Sequence, residues 1–431
     1  MGLVPEIGRD GAVRVAARLP GDAAADPSTL RSHNLGIVMR MLRDRGTLSR
    51  KDIEHATGMV PASVTNLLAD LSSRGLVRDL RAGSGETRGR GRPRVMVELV
   101  PDRCLALAVR IERTRVTGEL HSSTGHLLDS SSRRVELGWG QPGDVAHAIA
   151  ALVARAEGIA ADHAGVLLAA VVTVPGPVGH DNRVADSADF GWGHLQLVDL
   201  IRAAGASRSL PIEVVNDANA AALAEYASLT LPRPDVMLYL EGGSGVGGGV
   251  IADGRILMGA RGFGGELGHV TVDWRGRMCR CGSNGCLEAY IGPEGLLASA
   301  RLTELAESIG RDAAMDEFRA RLDRGEKRVV DVALRAGDIL GAGVRSIYDV
   351  VNPSAIVLGG YLAGMRRWLE PGIQLQLAPR TERLAPLTIE SGRLGRRAGL
   401  AGAARHGLLA FFDDPTMVPP VRREGASAEG A

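Results

Sequence analysis

Residues 268–290 read GHVTVDWRGRMCRCGSNGCLEAY, and they hold three of the chain's four cysteines, Cys279, Cys281 and Cys286, with His269 just upstream. A chain so sparing with thiols needs a chemical reason to place three of them in one short loop. Three thiolates and one imidazole are a standard complement for tetrahedral structural zinc. His269 lies ten residues before Cys279, close enough for one loop to fold back on itself. Gly282 and Gly285 let the backbone turn tightly between the ligands. A disulfide is disfavoured in a reducing compartment and would leave one thiol over. Four protein ligands leave no open coordination position, so the expected Zn2+ is structural and holds the loop. Cys104, by contrast, falls on a candidate core strand and reads as a small buried hydrophobe.

Around this loop lie 431 residues, a length that favours two or three compact units. The hydrophobic content of 45% allows sizeable cores, built mainly of Ala, Val and Leu because aromatics make up only 3%. The start, MGLVPEIGRDGAVRVAARLP, lacks the apolar core of a signal peptide. Gly, Pro or charge interrupts every apolar run before it reaches the length of a membrane span. The expectation is a soluble cytoplasmic protein with reduced thiols and no membrane partner. Charge is unevenly placed: residues 28–100 carry thirteen Lys and Arg against seven Asp and Glu, so the remainder of a chain of net +1 is acidic. A basic module on a mildly acidic body suggests a nucleic-acid-binding head.

Residues 1–29 lack apolar periodicity and are expected to be a disordered arm. In HNLGIVMRMLRDRG, Leu35, Val38, Met39 and Leu42 recur at the spacing of one helical face. A second helix starts at SRKDIEHATG, where Ser49 caps, Asp52 completes a capping box and Gly58 closes. A third opens on Pro61 and buries Val64, Leu67, Leu68 and Leu71. Gly75 ends it, and LVRDL enters a hairpin. Three short helices and a hairpin over residues 30–100 match a winged helix-turn-helix. Ser63, Thr65 and Asn66 then face outward near the amino-terminal half of the third helix, the part of a recognition helix that meets base edges. Asn pairs bidentately with adenine, and Ser and Thr suit several bases or phosphate. In GSGETRGRGRPRV, Arg88, Arg90, Arg92 and Arg94 alternate with Gly or Pro, a slim basic strip suited to a narrow minor groove or to unspecific phosphate contact. Double-stranded DNA is the expected partner either way.

From about Pro101 the texture becomes strand, turn, strand, helix. CLALAVRI, RVTGELHS, VLLAAVVTVPGPVG, LPIEVVNDANAAALAEYASL, VMLYLEGGSGVGGGVIADGRILMG and SAIVLGGYLAG supply strands, Gly-rich turns and an Ala-rich helix. Mixed α/β architecture with two related lobes follows. The order of VPGPV, NDANAAALAE, GSGVGGG, GELGH, CRCGSNGCLE and VLGG resembles the ROK (repressor, open reading frame, kinase) family over roughly residues 101–410. The resemblance implies the two-lobed actin-like/hexokinase-like (ribonuclease H-like) fold. It implies a first lobe over 101–215, completed by a C-terminal helix about 395–411, and a second lobe with the zinc loop over 216–394. Residues 412–431 are expected to be a disordered tail. With a winged head in front, the chain resembles the family's transcriptional repressors rather than its free-standing sugar kinases.

The resemblance carries a sugar site onto Gly176, Asn216, Asp217, Glu266, His269 and Glu288. It implies that the zinc-bound histidine also faces the sugar, one ring nitrogen on the metal and the other on a hydroxyl. Each residue also has a plainer explanation, since Asn216 and Asp217 can cap the helix that follows them and Glu288 can start another. In the family's kinases the aspartate matching Asp217 is the base, which needs a correctly held nucleotide and magnesium. Here the sequence departs, because Arg110-Ile111-Glu112-Arg113-Thr114 stands where the family has Asp-x-Gly-Gly-Thr. A guanidinium cannot ligate magnesium, and Glu112 adds negative charge where a triphosphate would lie. The Gly243–Gly249 turn is intact, and Gly359 and Gly360 match the adenosine-side turn, with Tyr361 where a small residue is usual. Asp189 stands where relatives often place Asn. The expectation is therefore a kinase-inactive sensor of a monosaccharide or related effector, coupled to DNA as a homodimer or higher oligomer on a palindromic operator. The competing expectation is an ATP-dependent sugar kinase that also binds DNA.

Overall fold

The computed structural model describes residues 6–7, 13–14, 27–80, 95–135, 141–230 and 232–421. A helix over Pro27–Arg45 opens the head, so Pro27–Thr29 belong to it and not to the arm expected over 1–29. Ser49 and Asp52 cap Arg50–Thr57 reciprocally. The Ser49 hydroxyl accepts from the Asp52 N–H at 3.2 Å, and the Asp52 carboxylate accepts from the Ser49 N–H at 2.9 Å. Pro61 opens helix Pro61–Ser73, whose Val64, Leu67, Leu68 and Leu71 are buried in one cluster with Leu35, Val38, Met39 and Leu42. Strands Val77–Leu80 and Met96–Leu99 pair antiparallel, and Leu48–Ser49 joins the far edge of the latter. This is a winged helix-turn-helix. Arg88, Arg90, Arg92 and Arg94 lie outside the described residues.

The body repeats one topology. In the first lobe, Cys104–Glu112, Arg115–Ser122 and Leu127–Arg134 form an antiparallel meander. Val166–Val174 and then Ile212–Asn216 add in parallel on the other side of Cys104–Glu112. The second lobe does the same: Val236–Gly242, Val246–Ala252 and Arg255–Ile256 meander, and Ala355–Gly359 and Thr388–Ser391 add in parallel. Two five-stranded sheets of identical strand order are the duplicated, actin-like plan. Among the described residues, no helix is long and apolar enough to cross a membrane.

This duplication positions the site. Parallel strands leave their carboxyl ends at one edge of a sheet, where loops converge on a crevice. Val166–Val174 delivers Pro175-Gly176-Pro177, and Ile212–Asn216 runs directly into helix Asp217–Ser228. In the other lobe, Val236–Gly242 delivers the Gly-rich turn, and Ala355–Gly359 delivers Gly360. The two edges face one another.

The carboxyl-terminal segment departs from expectation. Helix Ala398–Gly407 lies on Cys104–Glu112 and Val166–Val174 of the first sheet and on helix Asp217–Ser228. Residues 412–421, expected to be disordered, continue from it as a strap over the head. Phe411, Phe412 and Val418 are buried in the cluster that contains Leu35, Val38 and Leu68. Arg40 Nη1 donates to the Phe412 carbonyl at 3.0 Å and to Asp413 Oδ1 at 2.9 Å. Arg74 Nη1 donates to the carbonyls of Thr416 and Val418 at 3.0 and 2.7 Å, and the Val421 N–H donates to the Ser73 carbonyl at 2.9 Å. The Pro and Asp content of this stretch suggested disorder, but the head supplies the apolar floor and the donors that the segment lacks. Residues 422–431 lie outside the described residues. Phe412→Ala, which removes a buried ring and the face beneath the Arg43 guanidinium, is expected to cost about 3–5 kcal/mol. Chemical denaturation checks the cost, and hydrogen exchange should show helices Pro27–Arg45 and Pro61–Ser73 losing protection.

Candidate functional site

The crevice between the lobes is lined by all six residues singled out from sequence: Gly176, Asn216, Asp217, Glu266, His269 and Glu288. Gly176 takes φ +105°, and a Cβ there would lie 2.2 Å from the Asp186 carbonyl oxygen, so only glycine fits. Asn216 is the cap of helix Asp217–Ser228, its Oδ1 accepting from the Asn219 N–H at 2.8 Å. Its Nδ2 donates to the Gly176 carbonyl at 2.9 Å. The plain explanation of Asn216 as a cap therefore holds together with its place in the lining. Asp217 Oδ1 accepts from the Ala218 N–H at 2.9 Å. Glu288 Oε2 accepts from the Val246 N–H at 2.9 Å and so pins the Gly-rich turn to the cysteine loop.

Electrostatics separate the acids. Burial, aided by the charges of Asp189 and Glu266, pushes the Asp217 carboxyl up to about 7 against the Ala218 N–H that favours its ionised form. Burial, with Asp217 beside it, pushes Glu241 up to about 7 as well, opposed by the Tyr239 hydroxyl and by Arg110. Burial also raises Glu266, with Glu288 adding to the effect and His269 opposing it.

Below the crevice, His269, Cys279, Cys281 and Cys286 bring their ligand atoms within 4.8 Å of one another. Cys281 Sγ and Cys286 Sγ are 3.6 Å apart, and His269 Nδ1 is 3.7 Å from Cys279 Sγ. A tetrahedron with metal–sulfur bonds of about 2.3 Å has edges of about 3.8 Å. The donor set and its spacing therefore fit a single tetrahedral metal ion. Gly285 makes the fold of the loop possible, with φ +73° and a Cβ position 1.6 Å from the Asp273 carbonyl oxygen. His269 turns its other nitrogen, Nε2, toward Glu266 Oε2 at 3.9 Å, on the crevice side. The ring thus lies between the cysteine cluster and the cavity.

The hairpin Arg110–Thr114 is occupied with its own charges. Glu112 has three guanidinium groups around it, Arg110 and Arg396 at 3.8 Å and Arg115 at 3.7 Å. Arg110 Nη1 donates to the Arg396 carbonyl at 2.7 Å. On the far side, the Tyr361 ring lies against Gly242, where a Cβ would come within 2.5 Å of it, and its hydroxyl donates to the Ile291 carbonyl at 2.8 Å. Ser244 of the Gly-rich turn donates to Asp189 Oδ2 at 2.5 Å, a bridge between the two lobes.

Sequence reasoning passed over three lining residues, Asp186, Glu241 and Arg280. Arg280 stands between two of the clustered cysteines and Glu241 just before the Gly-rich turn, so position relative to a known loop was the available signal. On the head, Ser63, Thr65 and Asn66 are all exposed. Thr65 Oγ1, however, donates to the Pro61 carbonyl at 3.0 Å, which leaves its methyl and lone pairs facing outward.

Residues 107–406 match the ROK family, and the chain belongs to that family. It is similar to the xylose repressor of Bacillus subtilis, 23% identical over 340 residues that span 78% of this chain and 83% of that protein. Among solved structures, a ROK family transcriptional regulator described as a homolog of the Escherichia coli MLC protein aligns with a TM-score of 0.71 at 25% identity, covering 89% of this chain and 97% of that one. A ROK family glucokinase from Streptomyces griseus, in complex with glucose and AMPPNP, aligns with a TM-score of 0.56 at 25% identity, covering 70% and 98%. Regulators and kinases are thus both among its relatives, and the regulator's likeness extends over more of the chain.

Two outcomes follow from this geometry. Cys281→Ser is expected to lower bound metal from one equivalent to a small fraction of that, read by elemental analysis of the purified chain, with the head still folded by circular dichroism. For Asp217, the unfolded chain releases the proton in the ordinary carboxylate range and the folded chain holds it up to about 7. Between those values the folded state binds more protons, so each rise in pH costs it stability. Asp217→Asn is therefore expected to raise the melting temperature more at pH 8 than at pH 5.

Proposed function

We propose that this chain is a sugar-responsive, DNA-binding transcriptional regulator, a repressor like the xylose repressor it resembles, whose two-lobed body senses a monosaccharide and transfers no phosphate. The observation that carries this proposal is the sharing of one core between the DNA-reading head and the segment that runs off helix Ala398–Gly407. That helix packs on Asp217–Ser228, which begins at the crevice. Asn216, Asp217, Glu266, His269 and Glu288 would hold adjacent hydroxyls, and Gly176 would let the ring approach the backbone. Zn2+ at His269, Cys279, Cys281 and Cys286 would be structural, fixing the ring of His269 so that Nε2 meets the sugar. Ser63, Thr65 and Asn66 would read base edges, with Arg88, Arg90, Arg92 and Arg94 on the backbone or minor groove.

The degenerate hairpin supports the absence of phosphotransfer. A triphosphate would meet Glu112 already ringed by three arginines, and magnesium would meet a guanidinium where it needs a carboxylate. The purine side is narrowed by the Tyr361 ring. Coupling requires that sugar favour one arrangement of the lobes over the other. The head is fused to the first lobe through a continuous apolar core, and it meets the second lobe through an ion pair, Arg233 to Asp44 at 3.5 Å. Lobe closure would strain that pair and shift the spacing of paired heads on a palindromic operator.

Genome-wide footprinting, repeated with a panel of sugars, tests the whole proposal: occupancy at discrete palindromes should change with one sugar. A coupled ATPase assay over the same panel separates the alternative of a DNA-binding sugar kinase, since sugar-dependent turnover abolished by Asp217→Asn would establish that instead. Asn66→Ala is expected to weaken operator binding by about 1–3 kcal/mol, with unspecific binding unchanged, in fluorescence titrations at fixed salt.

A further inference from the structure

The crevice is nearly one-signed. Asp186, Asp189, Asp217, Glu241, Glu266 and Glu288 border it, against Arg280 and His269. The two basic groups are already engaged. Arg280 Nη2 lies 3.5 Å from Glu288 Oε1, and His269 points Nδ1 into the cysteine cluster. Donors are scarce as well. Asn216, the amide of the lining, uses Oδ1 on the Asn219 N–H and Nδ2 on the Gly176 carbonyl.

Asp217 and Asp189, like Asp186, border this space without an ion pair among the described residues, and the charge of Arg280 reaches Asp189. Asp217 receives one hydrogen bond from the Ala218 N–H, and among the described residues no cation pairs with it. The charges that bear on it, from Asp189 and Glu266, are of its own sign. Among the described residues, Asp189 receives a hydrogen bond from the Ser244 hydroxyl. A neutral sugar hydroxyl both donates and accepts, whereas a carboxylate can only accept. A ligand group that only donates, and that carries a positive charge, matches this wall better than a hydroxyl does. A phosphate or carboxylate on the ligand would bring like charge into a buried acidic site, which is unfavourable.

Building on the sugar-sensor function proposed above, we propose that the effector is a sugar with a free, protonated amine, a hexosamine, whose ammonium sits against Asp189 and Asp217. Asp189 is then the residue that sets specificity, because its carboxylate supplies the acceptor and the charge.

Calorimetry on the full chain at neutral pH tests this with glucosamine, galactosamine and mannosamine. Each is set beside its N-acetyl form, its hydroxyl counterpart and its 6-phosphate. One free hexosamine is expected to bind at least about tenfold more tightly than its N-acetyl and hydroxyl counterparts, about 1.4 kcal/mol, with the 6-phosphate weaker still. Asp189→Asn should shrink that preference to about threefold or less, as expected when the charge of a partly desolvated pair is removed. A neutral counterpart that binds as tightly as the amine overturns the proposal and leaves the sugar sensor standing. Retention of the full preference by Asp189→Asn overturns the placement of the ammonium. Silence across every sugar overturns the sensor itself along with the proposal. The wild-type panel decides the first and last of these even if the variant fails to fold.

Discussion

Helix Ala398–Gly407 is wedged between the first sheet and helix Asp217–Ser228, with Gly402 set directly against the Ala220 carbonyl. That contact leaves no slack: the helix carrying Asn216 and Asp217 at its start cannot move without moving its neighbour. The neighbour runs on through Leu408 into Phe411 and Phe412, which complete the core of the head. One continuous stretch of chain therefore joins the crevice to the DNA-reading unit, and packing alone provides the connection. Close-packed interiors transmit displacement because they have no voids to absorb it.

The crevice divides into two chemically different sides. One side of the crevice gathers the acids, the capping Asn216 and the ring of His269 beside the cysteine loop. Elsewhere the protein's own groups engage one another, with arginines around Glu112 and the Tyr361 ring on Gly242. Asp217 is pushed up to about 7 mainly by burial. That matches a base in a kinase and equally matches an acidic wall awaiting a cationic partner.

The cysteine cluster and the acidic wall of the crevice are one construction. Glu288 follows Cys286 by two residues and pins the Val246 N–H, while His269 bridges the cluster and Glu266. The 22 residues from His269 to Tyr290 contain almost no regular structure, and turn and bridge hydrogen bonds such as Cys279 N–H to the Ser283 carbonyl at 2.8 Å and Gly285 N–H to the Arg277 carbonyl at 2.7 Å hold them. A tetrahedral ion at the cysteine cluster would add rigidity at a single point.

Much of this was legible in the chain itself. Capping box, helical stripes, cysteine spacing and the NDAN, GELGH and GCLE motifs are local patterns, and local patterns report local geometry. Ser49 with Asp52, Pro61, and the buried faces of the head's helices formed where their spacing indicated. What sequence could not reveal is set by partners distant in the chain. The strap over 412–421 looked disordered because its apolar floor and its donors, Arg40 and Arg74, lie more than three hundred residues away. The edge strand Leu127–Arg134 and the bridge from Asp189 to Ser244 are likewise products of pairing across the fold. Residue types and spacing determined which chemistry this protein can hold, and tertiary packing decided which groups remain free to use it, since burial and partners exist only once the lobes have met.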